Sequence, residues 1–221
     1  MIEKPVVGVT TDARPHPAGR KGAMLSLEEV AERGWKARMS PRLRAWVSQQ
    51  LAKCNVSTGS RRQKMQCILD AYRAKVPYLN DPVMGEFMAT PDQLLCLDPE
   101  NLCIIGGDCD EASITLIACA LCIGIPAMVV GSAHKHPVTV PTHVFGAFQD
   151  ELGEWVKMDG TTKYPVGTTA PHLREWWVEP GEKAKNLGEG DFVGMSGVDN
   201  DRDVGVGRQP DVFDLLYPGL R

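Results

Sequence analysis

At 221 residues the chain is long enough for one core of ordinary domain size with extensions at its ends. Hydrophobic residues make up 43% and charged residues 24%, a globular composition that excludes a disordered or fibrous chain. A formal net charge of −4 offers no global attraction to nucleic acid or to an anionic membrane surface, so neither is expected as a partner.

Met1 to Thr10 shows no cationic segment followed by a long apolar run, and the most apolar stretch, Ile114 to Ile125, is too short and interrupted to span a bilayer. An unanchored chain made in the cytoplasm is expected. The seven cysteines are odd in number and lack the regular spacing of a secreted disulfide scaffold. Mostly free thiols in a reducing compartment are therefore expected.

Residues 1–24 hold Pro5, Pro15, Pro17 and three glycines with little periodicity, which predicts an extended arm. A helix is expected from Leu25 to about Arg38, capped by Ser26 with Glu28 and Glu29 in its first turn. A second helix should begin at Ser40, with Pro41 at the first helical position, and run to about Lys53 with Leu43, Trp46, Val47 and Leu51 on one face. A third, from about Ser60 to Lys75, should bury Met65, Ile68, Leu69 and Tyr72 and stop before Pro77. Its basic cluster Arg61, Arg62 and Lys64 reads as a solvated helix face. Residues 76–106 read as loop, with turn signals at Asp81-Pro82, Gly85, Thr90-Pro91 and Asp98-Pro99.

An apolar helix is expected from Cys109 to Ile123, ended by Gly124. Strands are expected over Ala127 to Gly131, Thr142 to Phe148 and Trp155 to Met158, the last two joined by the hairpin loop Asp150 to Glu154. Helices followed by an antiparallel sheet give an α+β fold. Beyond about Pro180 the chain is polar and glycine-rich, which predicts an extended tail that orders only against a partner. The expected organisation is an arm (1–24), a folded domain (25–178) and a tail (179–221), the tail ending in the apolar run Val212 to Tyr217.

Chemistry concentrates in Gly106-Gly107-Asp108-Cys109-Asp110-Glu111. A cysteine at a helix N-terminus meets unpaired amides and the positive end of the dipole, which favour a thiolate. The acidic neighbours oppose this, so an imidazole partner is needed. His143 supplies one on a predicted strand, and Asp159 ends the next strand of the same hairpin. If the strands pair, the carboxylate fixes the imidazole tautomer while the other nitrogen faces the thiol. Cys109 is thus the candidate nucleophile, His143 its base and Asp159 the group that orients the base. The order Cys, His, Asp on helix, strand, strand matches the papain-like arrangement.

Other residues have blander readings. Cys119 and Cys122 lie inside an apolar helix, where packing outweighs a redox or zinc role. His134 and His136 lack further ligands at supporting spacing, so no metal and no cofactor is expected. Trp176 and Trp177 read as a buried lid over the sheet rather than a platform for bases. Gly205-Val206-Gly207 lacks the strand-turn-helix context of a dinucleotide loop.

The motif Gly107-Asp108-Cys109-Asp110-Glu111, then Leu116, Gly124-Ile125-Pro126, His143-Val144 and Trp155 to Thr161, with the lead-in Val76 to Pro82, Glu86 and Thr90-Pro91, resembles the transglutaminase-like family. It is most similar to a small microbial branch found often in phages and prophages. The resemblance covers about residues 60–165; Gly160 departs from the proline frequent after the aspartate. It implies a papain-like core, a protein or peptide substrate, and cleavage or transfer of amide bonds through a thioester. The oxyanion donors would be the Cys109 amide and an upstream side chain, for which Tyr78 is the suggestion. It also implies a virion as a location to consider. The rival expectation is a structural or assembly protein of a phage particle that binds neighbouring subunits through its extended termini.

Overall fold

The computed structural model describes residues 20–80, 88–100, 103–104, 106–136 and 139–188. The arm up to residue 19, the tail from residue 189, the apolar run Val212 to Tyr217 and Gly205-Val206-Gly207 lie outside the described residues.

Helix α1 (Arg20–Ala37) begins at Arg20 rather than Leu25. Residues 20–24 contain no proline and favour helix, so the first turns extend back into the stretch read as arm. Ser26, read as the cap, lies inside the helix and donates its hydroxyl to the Gly22 carbonyl (3.4 Å). Leu27, Val30, Ala31 and Gly34 form the buried stripe, at the spacing an amphipathic helix requires.

Helix α2 (Pro41–Lys53) starts as expected: the Ser40 side chain accepts from the Leu43 amide and proline occupies the first turn. Helix α3 (Arg61–Lys75) is opened by a capping box in which Ser60 and Gln63 satisfy each other's backbone amides. Its basic residues are not simply solvated. Arg61 donates to the carbonyls of Gln149 and Asp150 (3.1 and 3.0 Å), and Arg62 donates to the Asp150 carboxylate (2.9 Å). The first turn of α3 therefore holds the hairpin loop expected between the second and third strands.

The stretch read as loop contains a short helix α4 (Pro91–Leu94), opened by a second capping box between Thr90 and Gln93. Thr90-Pro91 is thus a helix start, not a turn. Helix α5 (Cys109–Cys122) is buried on nearly every side. Gly124 follows it at φ 76°, the left-handed conformation that closes a helix cheaply only without a Cβ.

Five antiparallel strands follow, β1 (Ala127–Ala133), β2 (His143–Gln149), β3 (Trp155–Met158), β4 (Arg174–Glu179) and β5 (Lys185–Gly188). Their order across the sheet is β3-β2-β1-β4-β5. The fold is α+β, as expected, but the sheet is larger than the three strands read from the sequence. Trp176 and Trp177 form no lid. They lie within β4, Trp176 in the core shared with the helices and Trp177 in the cluster on the opposite face. A Trp-Trp pair buried on both faces carries no alternation, so the strand signal is lost. β5 lies inside the stretch read as tail and pairs with β4.

The helix-side core joins Leu116 and Ile117 of α5 to Val129, Val144, Phe148, Met158 and Trp176 of the sheet. Full burial of each such side chain stabilises the fold by roughly 1.5–3 kcal/mol. The opposite face gathers Met128, Val130, Phe145, Ala147 and Trp177. Packing α5 against this sheet sets its N-terminus beside the first residues of β2.

The expectation of mostly free thiols is corrected. Cys54 pairs with Cys67 and Cys96 with Cys103 (Cα–Cα 6.3 and 4.9 Å). Cys109, Cys119 and Cys122 are free. The first bridge ties the end of α2 to α3, a proximity that depends on helix packing rather than on spacing in sequence. Cysteine usage accordingly gives no support to a reducing compartment. Among the described residues no helix is long and apolar enough to cross a membrane.

Candidate active site

Asp108 caps α5, its carboxylate accepting from the Asp110 amide (2.8 Å). Cys109 is then the first residue of the helix, where its amide has no intrahelical acceptor. The thiol lies within reach of the Val144 amide on β2, which hydrogen-bonds it and lowers its pKa. The stronger influences act the other way: burial, then the charges of Asp110 and Asp108, push the thiol well above its ordinary range. The thiol and these two carboxylates place ligand atoms within 4.8 Å of one another, so the loop concentrates negative potential around the sulfur.

His143 opens β2, opposite Ser132 of β1. Its Nε2 lies 2.9 Å from Asp159 Oδ2. A carboxylate can only accept, so Nε2 carries the hydrogen and Nδ1 is left as the acceptor. Asp159 is 1% exposed. Its other oxygen accepts from the Thr161 amide and hydroxyl (2.9 and 2.8 Å). Burial raises the Asp159 carboxyl, but the His143 hydrogen bond and charge together with the Thr161 bonds outweigh it and hold the group below the usual carboxylate range.

The structure thus brings His143 and Asp159 into direct contact and seats Cys109 against the residue that follows His143. Among the described residues the thiol contacts are the Val144 amide and the Asp110 carboxylate (3.6 Å), and no hydrogen bond joins the thiol to His143. Tyr78, the suggested oxyanion donor, reaches the nucleophile loop through its backbone bridge to Gly107. Its hydroxyl instead donates to Asn80 (3.0 Å).

Several contributors are not legible in the sequence. Glu111, one of the acidic neighbours of Cys109 in the motif, is 1% exposed. Its carboxylate accepts from the amides of Asp108 (3.0 Å) and Ala89 (3.1 Å), tying the nucleophile loop to the segment before α4. Burial first, then the charge of Asp108, raises it to about 8. The Asp108-x-x-Glu111 spacing, a capping-box pattern, is the signal that could have found it. Arg73 of α3 donates to the carbonyls of Asp159 and Tyr164 (2.6 and 2.7 Å), fixing the turn after the carboxylate. No sequence pattern announces that contact.

Gly160, the departure from proline, is forced by packing. A Cβ there would lie 2.9 Å from that of Ala112 and 3.1 Å from Leu116 and Tyr72 side chains. His134 is hydrogen-bonded on both ring nitrogens, by Ser132 (3.1 Å) and the Pro171 carbonyl (2.7 Å). Its ring stands 5.7 Å from that of His143. Cys119 and Cys122 are buried inside α5, as the packing reading expects.

No family model matches the chain, and no curated protein matches it. Among solved structures, a candidate cysteine protease from Cytophaga hutchinsonii is 17% identical over 66% of this chain and 50% of its own, with a TM-score of 0.40. A transglutaminase is 20% identical over 60% of this chain and 34% of its own, with a TM-score of 0.38. A chain from the Rad4/XPC nucleotide excision repair complex is 11% identical over 75% of this chain and 48% of its own, with a TM-score of 0.44. This chain spans half or less of each of those chains. The likenesses are distant, and none of them assigns an activity.

Proposed function

We propose that the chain is a cysteine-dependent acyl-transfer enzyme that cleaves or transfers amide bonds of a protein or peptide, with Cys109 as nucleophile, His143 as base and Asp159 orienting it. The observation that carries this reading is the 2.9 Å contact of His143 Nε2 with Asp159, made beside a cysteine at a helix N-terminus. That contact leaves Nδ1 as the proton acceptor. Burial and the charges of Asp110 and Asp108 push the thiol up, so the imidazole is needed to take its proton, by general-base catalysis.

In the proposed cycle His143 takes the thiol proton as sulfur attacks the acyl carbon. The carbonyl oxygen becomes an oxyanion held by the Cys109 amide, whose hydrogen has no helical acceptor. The carbon–nitrogen bond then breaks, and the amine leaves with the proton from His143. Water or a second amine attacks the thioester, again losing its proton to His143, and the thiol is restored. A missing thiol–imidazole hydrogen bond does not oppose this, because such bonds commonly tighten only once substrate is bound.

Alkylation by iodoacetamide at neutral pH, located by peptide mapping, tests the reading. Cys109 should react ahead of the other two free thiols, and His143→Ala should slow it. Uniform slow labelling that ignores the substitution would instead favour the rival reading, an assembly protein that keeps this fold without the chemistry.

A further inference from the structure

Beside the nucleophile loop the end of α3 and the turn after Asp159 enclose a cleft of about 220 Å³. One wall is Gly107, two residues before Cys109 and therefore within about 7 Å of it along the chain. The segment 77–79 runs alongside: the Gly107 amide donates to the Pro77 carbonyl (3.3 Å) and the Leu79 amide to the Gly107 carbonyl (3.1 Å). The lining also includes Thr161 to Lys163, which follow closely on the carboxylate that orients His143.

The charge of this cleft is one-sided. Arg73 and Lys163 line it, and among the described residues no acidic side chain does. The nearby acids hydrogen-bond elsewhere, Asp159 with His143 and Thr161, Asp108 with the Asp110 amide and Glu111 with the amides of Asp108 and Ala89, although the charges of Asp159 and Asp70 are felt by Arg73, which leaves Lys163 as the main attraction for an anion. Lys163 is exposed and makes no ion pair among the described residues. Behind this lining the Thr162 hydroxyl, on a residue 9% exposed, and Arg73 Nε are buried with no partner among the described residues. Tyr72, Val76 and Pro77 add an apolar side that suits the stem of a side chain.

We propose that this cleft is a substrate subsite for a carboxylate-bearing side chain, drawn in by Lys163 and Arg73 while the scissile acyl carbon sits over Cys109. The proposal deepens the acyl-transfer reading and rests on it for the identity of the nucleophile. It makes acidic peptide segments the preferred substrates.

The test uses capped tripeptides Ala-Glu-Ala, Ala-Gln-Ala and Ala-Lys-Ala as protectants of Cys109 against iodoacetamide in the full chain. The Glu peptide should protect at about a tenfold lower concentration than the Lys peptide, with Gln between, as expected for changing attraction into repulsion at a partly exposed site. Lys163→Glu, at an exposed position, should reverse the order of protection, each peptide being compared with the variant's own unprotected rate. No protection by the Glu peptide, equal protection by all three, or an order that survives Lys163→Glu would overturn the subsite. Failure of the acyl-transfer reading is read separately, as an unprotected alkylation rate that does not depend on His143.

Discussion

Replacing Asp159 by asparagine tests how the carboxylate is used. Both carboxylate oxygens accept: Oδ1 takes the Thr161 amide and hydroxyl, and Oδ2 takes His143 Nε2. An amide has one acceptor and must turn its NH2 one way. Turned to Thr161, the NH2 would face a backbone amide that can only donate, so the new side-chain oxygen should stay there and the NH2 should face the imidazole. Nε2 must then accept, the ring hydrogen moves to Nδ1, and the nitrogen meant to take the thiol proton no longer can. The charge-assisted hydrogen bond that is lost is worth roughly 1.5–3 kcal/mol, and tenfold in rate is about 1.4 kcal/mol. Alkylation of Cys109 near neutral pH should therefore slow by about 10- to 100-fold, with the fold intact by circular dichroism. An Asp159→Asn variant as reactive as the parent would refute the reasoning, because it would show that the imidazole tautomer has no bearing on the thiol.

Glu111 predicts a dependence of stability on pH. Its folded value of about 8 lies above the ordinary 4.5, so the folded chain keeps a proton that the unfolded chain releases. The contribution is complete below about pH 4.5 and is lost as pH rises through about 8, a change on the order of a few kcal/mol. Urea midpoints should fall over that window and flatten in Glu111→Gln; equal slopes in both proteins would contradict this. Gly160→Ala should cost about 1–3 kcal/mol, because the new methyl meets Ala112 at 2.9 Å, and an unchanged midpoint would show that the contact yields freely. Thiol titration of the unfolded, unreduced chain should find three free cysteines, whereas seven would refute both bridges. Reduction of Cys54–Cys67, which closes a loop of 13 residues in sequence separation, should lower stability by about 3 kcal/mol.

Local signals make much of the fold legible. Ser40-Pro41, Ser60 and Gly124 each mark a boundary through backbone chemistry that a single residue can satisfy, and the structure places helix ends at all of them. The hairpin of β2 and β3 is likewise legible, because its strands are close in sequence. β4 escapes the sequence reading because its burial on both faces erases alternation, and β5 because Lys185 to Gly188 is strand only by virtue of pairing with β4. The residues of the candidate site are legible as types in order. What the sequence does not convey is long-range: the Arg73 grip on the Asp159 turn, the burial of Glu111, and the two disulfides.

The most direct test is mass spectrometry of the intact chain after brief exposure to an activated ester, followed by peptide mapping. The account predicts one acyl group, on Cys109, formed more slowly in His143→Ala and discharged by added amine or water. Acyl groups spread over surface lysines, with Cys109 unmodified and no difference in the variant, would contradict it.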